Sequence, residues 1–471
     1  MVRVALEGHE YRYEIFQILN LFYEKDEIVF NNDDYNAQSI IDDEFAVFKI
    51  GNITKKETYD KSDIKSIKNS LKRVTLQALS EYFNKIIPWG ILVGIRPTKI
   101  VHELKKQGKD LDYIKKHLIS YYLLSEDKAN LTIEVAENEE KFLAKPNNSI
   151  SLYVGIPFCP TRCVYCSFAS NAIHGNERLA DEYVNALLKE FDCILGFIKK
   201  NKLNIDTIYF GGGTPSSLSK EQIQRILYRL LNYVNINSVR EFTFEAGRPD
   251  SIDKEKLKIL KEFNVTRISI NPQTMNEETL IKIGRRHTVK EVIEKFFMAR
   301  ELGFDNINMD VIIGLPDEDI NSIKKTMQEI TKLSPESITI HTMAIKRASI
   351  LNEIDYKNKT DNAIEMYNYA SQCCRDMGMI PYYMYRQKNM VSPLENVGYS
   401  KVGKECIYNI QMIAENISIL SLGADAITKI IYEDENRIER YANVKDVREY
   451  VNRIDEMIDK KINVLTDFIQ K

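Results

Sequence analysis

No window of this 471-residue chain approaches eighteen uncharged apolar residues, so its hydropathy gives no membrane-spanning helix. There is no basic excess either. Lys and Arg number 65 against 68 Asp and Glu, a formal net charge of −3. Bulk nucleic-acid binding calls for a basic surplus, and none is present. A local basic pocket for a small acidic ligand would leave no trace in that balance. The run Met1–Glu14 alternates apolar and charged side chains and lacks the apolar core of a signal peptide, so a cytoplasmic location is expected. Low-complexity tracts and fixed-period repeats are absent. Cysteine is scarce and odd in number: seven, at 159, 163, 166, 193, 373, 374 and 406. In a long, unsignalled chain this argues against a disulfide framework. Three of the seven fall close together and need another explanation.

The hydrophobic content of 44% is ample for a large core, and the length suggests two or three domains. Residues 1–147 read as an α+β domain. Val2–Leu6 and Phe45–Ile50 have strand character. Ile64, Ile67, Leu71, Val74, Leu79 and Phe83 recur at helical spacing, which predicts a helix over 62–86. A second helix is expected after Pro97, in the turn Gly94-Ile95-Arg96-Pro97-Thr98, because proline suits a first helical turn. Lys145-Pro146-Asn147-Asn148-Ser149 has turn chemistry and marks a boundary.

From 148 to 345 short apolar runs alternate with helical patterns. The runs are Ser151–Ile156, Thr207–Phe210, Glu241–Glu245, Arg267–Ile270, Asn308–Ile313 and Ser337–His341. The helices lie near 177–199, 219–234, 253–263, 289–302 and 318–332. Six β/α repeats imply an α/β fold with a parallel sheet, short of the eight strands of a closed barrel and so an open, partial (β/α)6 barrel. Its active site should lie at the C-terminal strand ends. Residues 346–471 read as an α+β cover, with a helix near 361–378, strands at Tyr382–Tyr385 and Ile417–Leu422, and a final helix near 444–469.

The unusual residues fall at those strand ends. After the first strand comes Cys159-Pro160-Thr161-Arg162-Cys163-Val164-Tyr165-Cys166, a C-x3-C-x2-C spacing. Thiolates are the usual ligands of iron–sulfur clusters. Three on one loop can take three corners of a four-iron cube and leave one iron open, as catalytic metal centres do. A zinc site would want a further ligand pair, and none is in evidence. Free cysteine is also common as a small buried apolar residue, but not three at this spacing. The second strand is followed by Gly211-Gly212-Gly213-Thr214-Pro215, either a close-approach loop or a plain tight turn. The third ends in Glu245, whose charge needs a partner: a ligand's ammonium group, or simply a Lys or Arg. The fourth ends at Asn271-Pro272-Gln273, with Arg285 beyond it in Ile283-Gly284-Arg285-Arg286-His287; the fifth carries Asp310; the sixth ends near Met343-Ala344.

With these residues the sequence resembles the radical S-adenosylmethionine (SAM) superfamily, and within it the oxygen-independent coproporphyrinogen III dehydrogenase (oxidase)-like family, which includes haem chaperones. The resemblance is strong over 150–345 and looser over 380–430. It implies a radical SAM partial barrel, a [4Fe–4S] cluster on Cys159, Cys163 and Cys166, and SAM as the second cofactor. Gly212, Gly213 and Thr214 match a segment that contacts the amino-acid end of SAM. Gln273 and Asp310 match ribose-binding positions, Arg285 a carboxylate partner, and Tyr165 and Ala344 positions lining SAM. Tyr153, Gly212 and Glu245 match positions around a second SAM molecule. The implied reaction is cleavage of SAM by an electron from the cluster, abstraction of a hydrogen atom from a propionate, and loss of CO2 to leave a vinyl group. The partners implied are a porphyrinogen-type substrate and an unidentified electron donor. Arg248, Lys346, Arg347, Arg386 and Lys388 are candidates to meet substrate carboxylates.

The resemblance also breaks in places. Phe168 stands where the dehydrogenases have a fourth cysteine, and Gly155 where family members have His. Glu395-Asn396-Val397-Gly398-Tyr399-Ser400 replaces the His-Asn-x-x-Tyr-Trp motif of the chaperones. A haem chaperone, or a radical SAM enzyme on another substrate, therefore remains an alternative. Cys193 is expected in the core, at most one of Cys373 and Cys374 faces it, Cys406 is expected to pack, and His341 is a candidate contact for SAM or substrate.

Overall fold

The computed structural model describes all residues except 94–95, 147, 169, 346–348, 350–361, 388–389, 433–434, 436 and 471. The chain forms two compact units, Met1–Ala136 with Tyr385–Glu395, and Glu137–Met384 with Asn396–Lys471.

In the first unit, β1 (Val2–Glu7), β2 (Ile28–Phe30), β3 (Ala37–Ile41), β4 (Phe45–Ile50) and β5 (Ile53–Thr58) form one sheet in the order β2-β1-β3-β4-β5. The helix Ile64–Phe83 buries Leu71, Val74 and Leu79 against β4 and β5. Asp63 caps it by accepting from Lys65 N. A helix does begin at Pro97. Within this helix–sheet layer the buried Arg73 donates through Nε to both Glu57 oxygens at 2.9 Å. The segment 385–395 joins this unit through Glu395. Its fully buried carboxylate accepts from Trp89 Nε1 at 2.6 Å and from Lys128 Nζ at 2.7 Å.

The second unit is built on β6 (Ser149–Ile156), β7 (Phe158–Cys159), β8 (Asn171–Ala172), β9 (Asn204–Gly212), β10 (Glu241–Glu245), β11 (Arg267–Ser269), β12 (Ile307–Ile313), β13 (Ser337–Thr342), β14 (Ile380–Tyr385), β15 (Asn396–Ser400), β16 (Ile419–Leu422), β17 (Ile427–Tyr432) and β18 (Arg437–Ala442). The six expected strands are β6 and β9 to β13. They pair in parallel in sequence order, as a partial α/β barrel requires. The joining helices start where local chemistry directs. Ser219 with Gln222 and Thr288 with Glu291 form capping boxes, and Asp319 accepts from Asn321 N and Ser322 N. The C-terminal α+β segment extends this sheet at both edges: β15 runs antiparallel to β13, and β16 parallel to β6. The final helical pattern is two helices, Val447–Asn452 and Ile454–Gln470, because Arg453 leaves helical geometry at φ −113°.

These last helices are locked to the barrel by a buried charge. Glu190, on the helix Glu177–Lys200, is fully buried and accepts from Lys461 Nζ at 2.6 Å, Tyr450 Oη at 2.6 Å, Gly423 N at 2.8 Å and Asn443 Nδ2 at 3.0 Å. Removing one partner of a buried pair strands the other charge. Lys461→Ala should therefore lower the stability of this unit by about 3–5 kcal/mol, read as an earlier urea midpoint. An unmoved midpoint would show that the charge does not lock the helices.

Candidate functional site

The loop with the three cysteines leaves β7 and returns as β8, which pairs in parallel with it. Its base is closed by Asn171 N donating to Pro157 O and Ile173 N to Cys159 O, both at 2.9 Å. One flank is clamped by the glycine run after β9. Gly213 N donates to Ile156 O at 2.9 Å and Thr214 N to Phe158 O at 2.7 Å. A Cβ on Gly213 would lie 2.6 Å from Phe158 O, so only glycine fits there. Those two amides are thus committed to the strand. The other flank is held by Thr161 Oγ1 donating to Gly284 O at 2.9 Å and Val164 N to Ile283 O at 3.1 Å.

Cys163 is buried, and Cys159 and Cys166 are half-buried. Cys159 Sγ lies 3.4 Å from Thr214 Oγ1. Burial pushes the Cys159 thiol up against the opposing Thr214 hydrogen bond, and the nearby Cys166 and Cys163 sulfurs add to the rise. Among the described residues no three Cys, His, Asp or Glu side chains converge as ligands of a single ion do. Three soft donors spread around one loop suit the corners of an iron–sulfur cube better than one zinc. Cys163 also faces cations: Arg248 Nη1 stands 3.5 Å from its Sγ, and Arg285 is within electrostatic reach.

Arg248 does not face open space, as a partner for substrate carboxylates would. It is 3% exposed and pairs with Asp250 through Nε at 2.9 Å and Nη2 at 2.7 Å, and Nη2 also reaches Thr161 Oγ1 at 3.0 Å. Beneath this pair His287 is buried with neither ring nitrogen hydrogen-bonded, and burial with the neighbouring Arg285 pushes it down to about 3. Arg386 is committed as well, in the first unit: it donates to Leu92 O, and to Leu394 O at 3.1 Å, with its guanidinium 4.9 Å over the Trp89 ring. Lys346, Arg347 and Lys388 lie outside the described residues.

The remaining strand-end residues form two groups. In the first, Tyr153, Tyr209 and Tyr408 stack at centroid distances of 4.5–6.2 Å. The Tyr209 hydroxyl donates to Glu245. So the Glu245 carboxylate meets a neutral hydroxyl there, and burial pushes it up to about 7 against that bond. Tyr153 Oη stands 3.4 Å from where a Gly212 side chain would begin.

In the second group Asn271 is the hub. Its Nδ2 donates to Asp310 Oδ2 at 2.7 Å, its Oδ1 accepts from Asp310 N at 3.2 Å, and its carbonyl accepts from Arg285 Nη1 at 2.6 Å. Arg285 Nη2 donates to Tyr165 Oη at 3.3 Å, while its buried Nε has no partner. Such an orphaned donor can receive a carboxylate. Burial alone would raise Asp310, but His341 Nε2, 3.7 Å away, and the Asn308 amide hold it below the ordinary carboxylate value. Gln273 sits at φ +68°, fixed by Gln273 N donating to Asp310 O and Ile312 N to Gln273 O. Ala344 lies half-buried just past β13. Asn271, picked out in the sequence only as the end of a strand, proves to be the hub, while Tyr209, Tyr408, Thr161 and Asp250 carry much of the remaining geometry and look ordinary in the sequence. Cys374 is buried and Cys373 half-buried, as helical spacing requires. Cys406 is fully buried. Cys193 is only half-buried, its helix burying the adjacent Ile194 and Leu195 instead.

Comparison with known proteins agrees with this architecture. The radical SAM superfamily model matches residues 153–330. A radical SAM fold is thus the class that the six parallel strands and the cysteine loop define, and its cofactors are a [4Fe–4S] cluster and SAM. The chain is 39% identical over 419 residues to the oxygen-independent coproporphyrinogen-III oxidase-like protein HemZ of Bacillus subtilis, covering 88% of this chain and 84% of that protein. It is 31% identical over 312 residues to the heme chaperone HemW of the same organism, covering 65% of this chain and 76% of that one. The chain therefore belongs to the oxygen-independent coproporphyrinogen-III oxidase-like family of the radical SAM superfamily. Coproporphyrinogen III oxidase (HemN) from Escherichia coli shares the fold, with a TM-score of 0.53 at 21% identity, covering 68% of this chain and 72% of that one. Among the described residues no helix is long and apolar enough to cross a membrane.

Glu245 makes the site's stability pH-dependent. Its folded value of about 7 lies above the ordinary 4.5, so the unfolded chain ionises first and stability falls as pH rises from about 4.5 to 7. Glu245→Gln should match the native protein near pH 5 and exceed it at pH 8 by up to about 3 kcal/mol, read from thermal or urea unfolding. A gap of the same size at both pH values would contradict the raised value.

Proposed function

We propose that this protein decarboxylates coproporphyrinogen III oxidatively without oxygen, forming protoporphyrinogen IX. Cys159, Cys163 and Cys166 hold the cluster, and an electron donor in the cytoplasm reduces it. None of the seven cysteines is in a disulfide, which suits a reducing compartment. The observation that carries the reading is similarity to a coproporphyrinogen oxidase-like protein over 88% of the chain. The donor set supports it, since three clamped thiols leave one iron for SAM.

When bound, the reduced cluster and SAM supply hydrogen-atom abstraction. Two of the four propionates then each give up one hydrogen atom, release CO2 and pass one electron to an acceptor, leaving two vinyl groups. The chain's own residues hold and orient. Arg285, with its orphaned Nε, receives the methionine carboxylate. Asp310, kept ionised, accepts from a ribose hydroxyl, with Gln273 fixed beside it by the ladder to β12. Tyr165 and Ala344 line the nucleoside, and Gly213 and Thr214 keep the cysteine loop against the sheet. Tyr153, Gly212 and Glu245, at the strand ends on the other side of the site, are the residues that take a second SAM molecule.

Similarity to a heme chaperone favours a second reading, haem binding and delivery. Against it, the stretch that would carry the chaperone's His is occupied. Glu395 is bonded to Trp89 and Lys128, and Asn396 Oδ1 accepts from Thr342 N at 2.8 Å.

The reading is tested by anaerobic turnover of reconstituted protein with SAM, a reductant and coproporphyrinogen III. Protoporphyrinogen IX and 5′-deoxyadenosine should form together. Cys159→Ala, Cys163→Ala and Cys166→Ala should each abolish both. Deoxyadenosine without any change in the porphyrinogen would reject the substrate. A Soret band on mixing with haem, with no turnover, would favour the chaperone.

A further inference from the structure

We propose that Arg248 sets the reduction potential of the cluster, acting through Cys163. The inference rests on the reading above that Cys163 is a cluster ligand. The segment Gly247-Arg248-Pro249-Asp250 follows β10 as a tight turn, with Ser251 N donating to Arg248 O at 2.9 Å. This turn brings the side chains of Arg248 and Asp250 together on the cysteine loop. Arg248 is 3% exposed, and guanidinium stays charged at any physiological pH. Its Nη1 is aimed at Cys163 Sγ at 3.5 Å and at Thr161 O at 3.3 Å. The Asp250 fork and Thr161 Oγ1 fix the plane of the group, so the orientation is built in before any cluster is present.

Reduction adds one negative charge to the cluster. A buried cation donating to a ligand sulfur stabilises that charge, and charge and hydrogen bonds at the sulfurs are the levers by which proteins tune such clusters. Asp250 offsets part of the effect from the far side of the guanidinium. Arg285, the second cation near Cys163, donates to Asn271 O and Tyr165 and also interacts with the Cys163 thiol. Arg248 differs in that Asp250 and Thr161 fix its plane while its Nη1 stands on the sulfur. Arg248 is therefore a positioning residue whose contribution is read as a potential, which a purely structural clamp would not move.

The test is an EPR-monitored redox titration of the anaerobically reconstituted full chain. Arg248→Gln should keep its iron and lower the ratio of reduced to oxidised cluster about tenfold at a fixed potential, ~59 mV for a one-electron couple. Asp250→Asn removes the counter-charge and should raise that ratio. An unmoved midpoint in an iron-replete Arg248→Gln protein overturns the proposal. Should that variant fail to hold iron, Asp250→Asn decides: a raised midpoint supports the proposal, and an unchanged or lowered one overturns it. Cys163→Ala is the control for the underlying reading. Full iron content and an unchanged spectrum there would remove Cys163 as a ligand, a failure distinct from an unmoved potential.

Discussion

Two backbone hydrogen bonds, Gly213 N to Ile156 O and Thr214 N to Phe158 O, fix the loop on which this site depends. Together they join the chain just past β9 to the end of β6 and to β7, where the chain turns into the cysteines. They form only because Gly213 has no side chain, since a Cβ there would lie 2.6 Å from Phe158 O. The loop carrying the three thiols is held by the elements around it. It is clamped from one side by the glycine run and from the other by Gly284 and Ile283. The glycine run thus works first as a place where two backbones meet.

Around that clamp the site is a problem in buried charge. Arg248, Asp310 and Glu245 all sit at or near strand ends, buried or half-buried. Each is handled differently. Arg248 is neutralised by Asp250, Asp310 is held ionised by His341 and amide donors, and Glu245 is left to rise toward neutrality against a tyrosine hydroxyl. Burying unpaired charge is expensive, so these differences are informative. The Asp310 side is organised around Asn271 as a fixed set of donors and acceptors. The Glu245 side is lined by stacked tyrosine rings.

Much of the barrel is legible in the sequence because parallel strands buried on both faces read as continuous apolar runs. Glu241–Glu245 coincides with its strand, and the other five runs differ from theirs by a few residues at most. The sheet edges are less legible. β5 reads Ile-Thr-Lys-Lys-Glu-Thr, a half-exposed alternation without a hydrophobic signature, and β18 is similar. The assignment of 385–395 to the first unit depends on Trp89, Lys128 and Glu395, far apart in sequence, and no local pattern foretells it. In the site, residue types at strand ends are visible in the sequence, but their partners are not. Arg248 reads as a free cation for a carboxylate-bearing substrate, and only the fold reveals that Asp250 and Thr161 already hold it.

On the proposed reading, Cys159, Cys163 and Cys166 would hold the cluster and leave its fourth coordination position to SAM. That can be observed directly by adding SAM, labelled with nitrogen-15 at its amino group and oxygen-17 at its carboxylate, to the reduced, reconstituted protein. Electron–nuclear double resonance should detect hyperfine coupling from both labels to the cluster. A reduced four-iron signal with no coupling from either label would mean that every iron is already satisfied by the protein, contrary to three-thiol ligation.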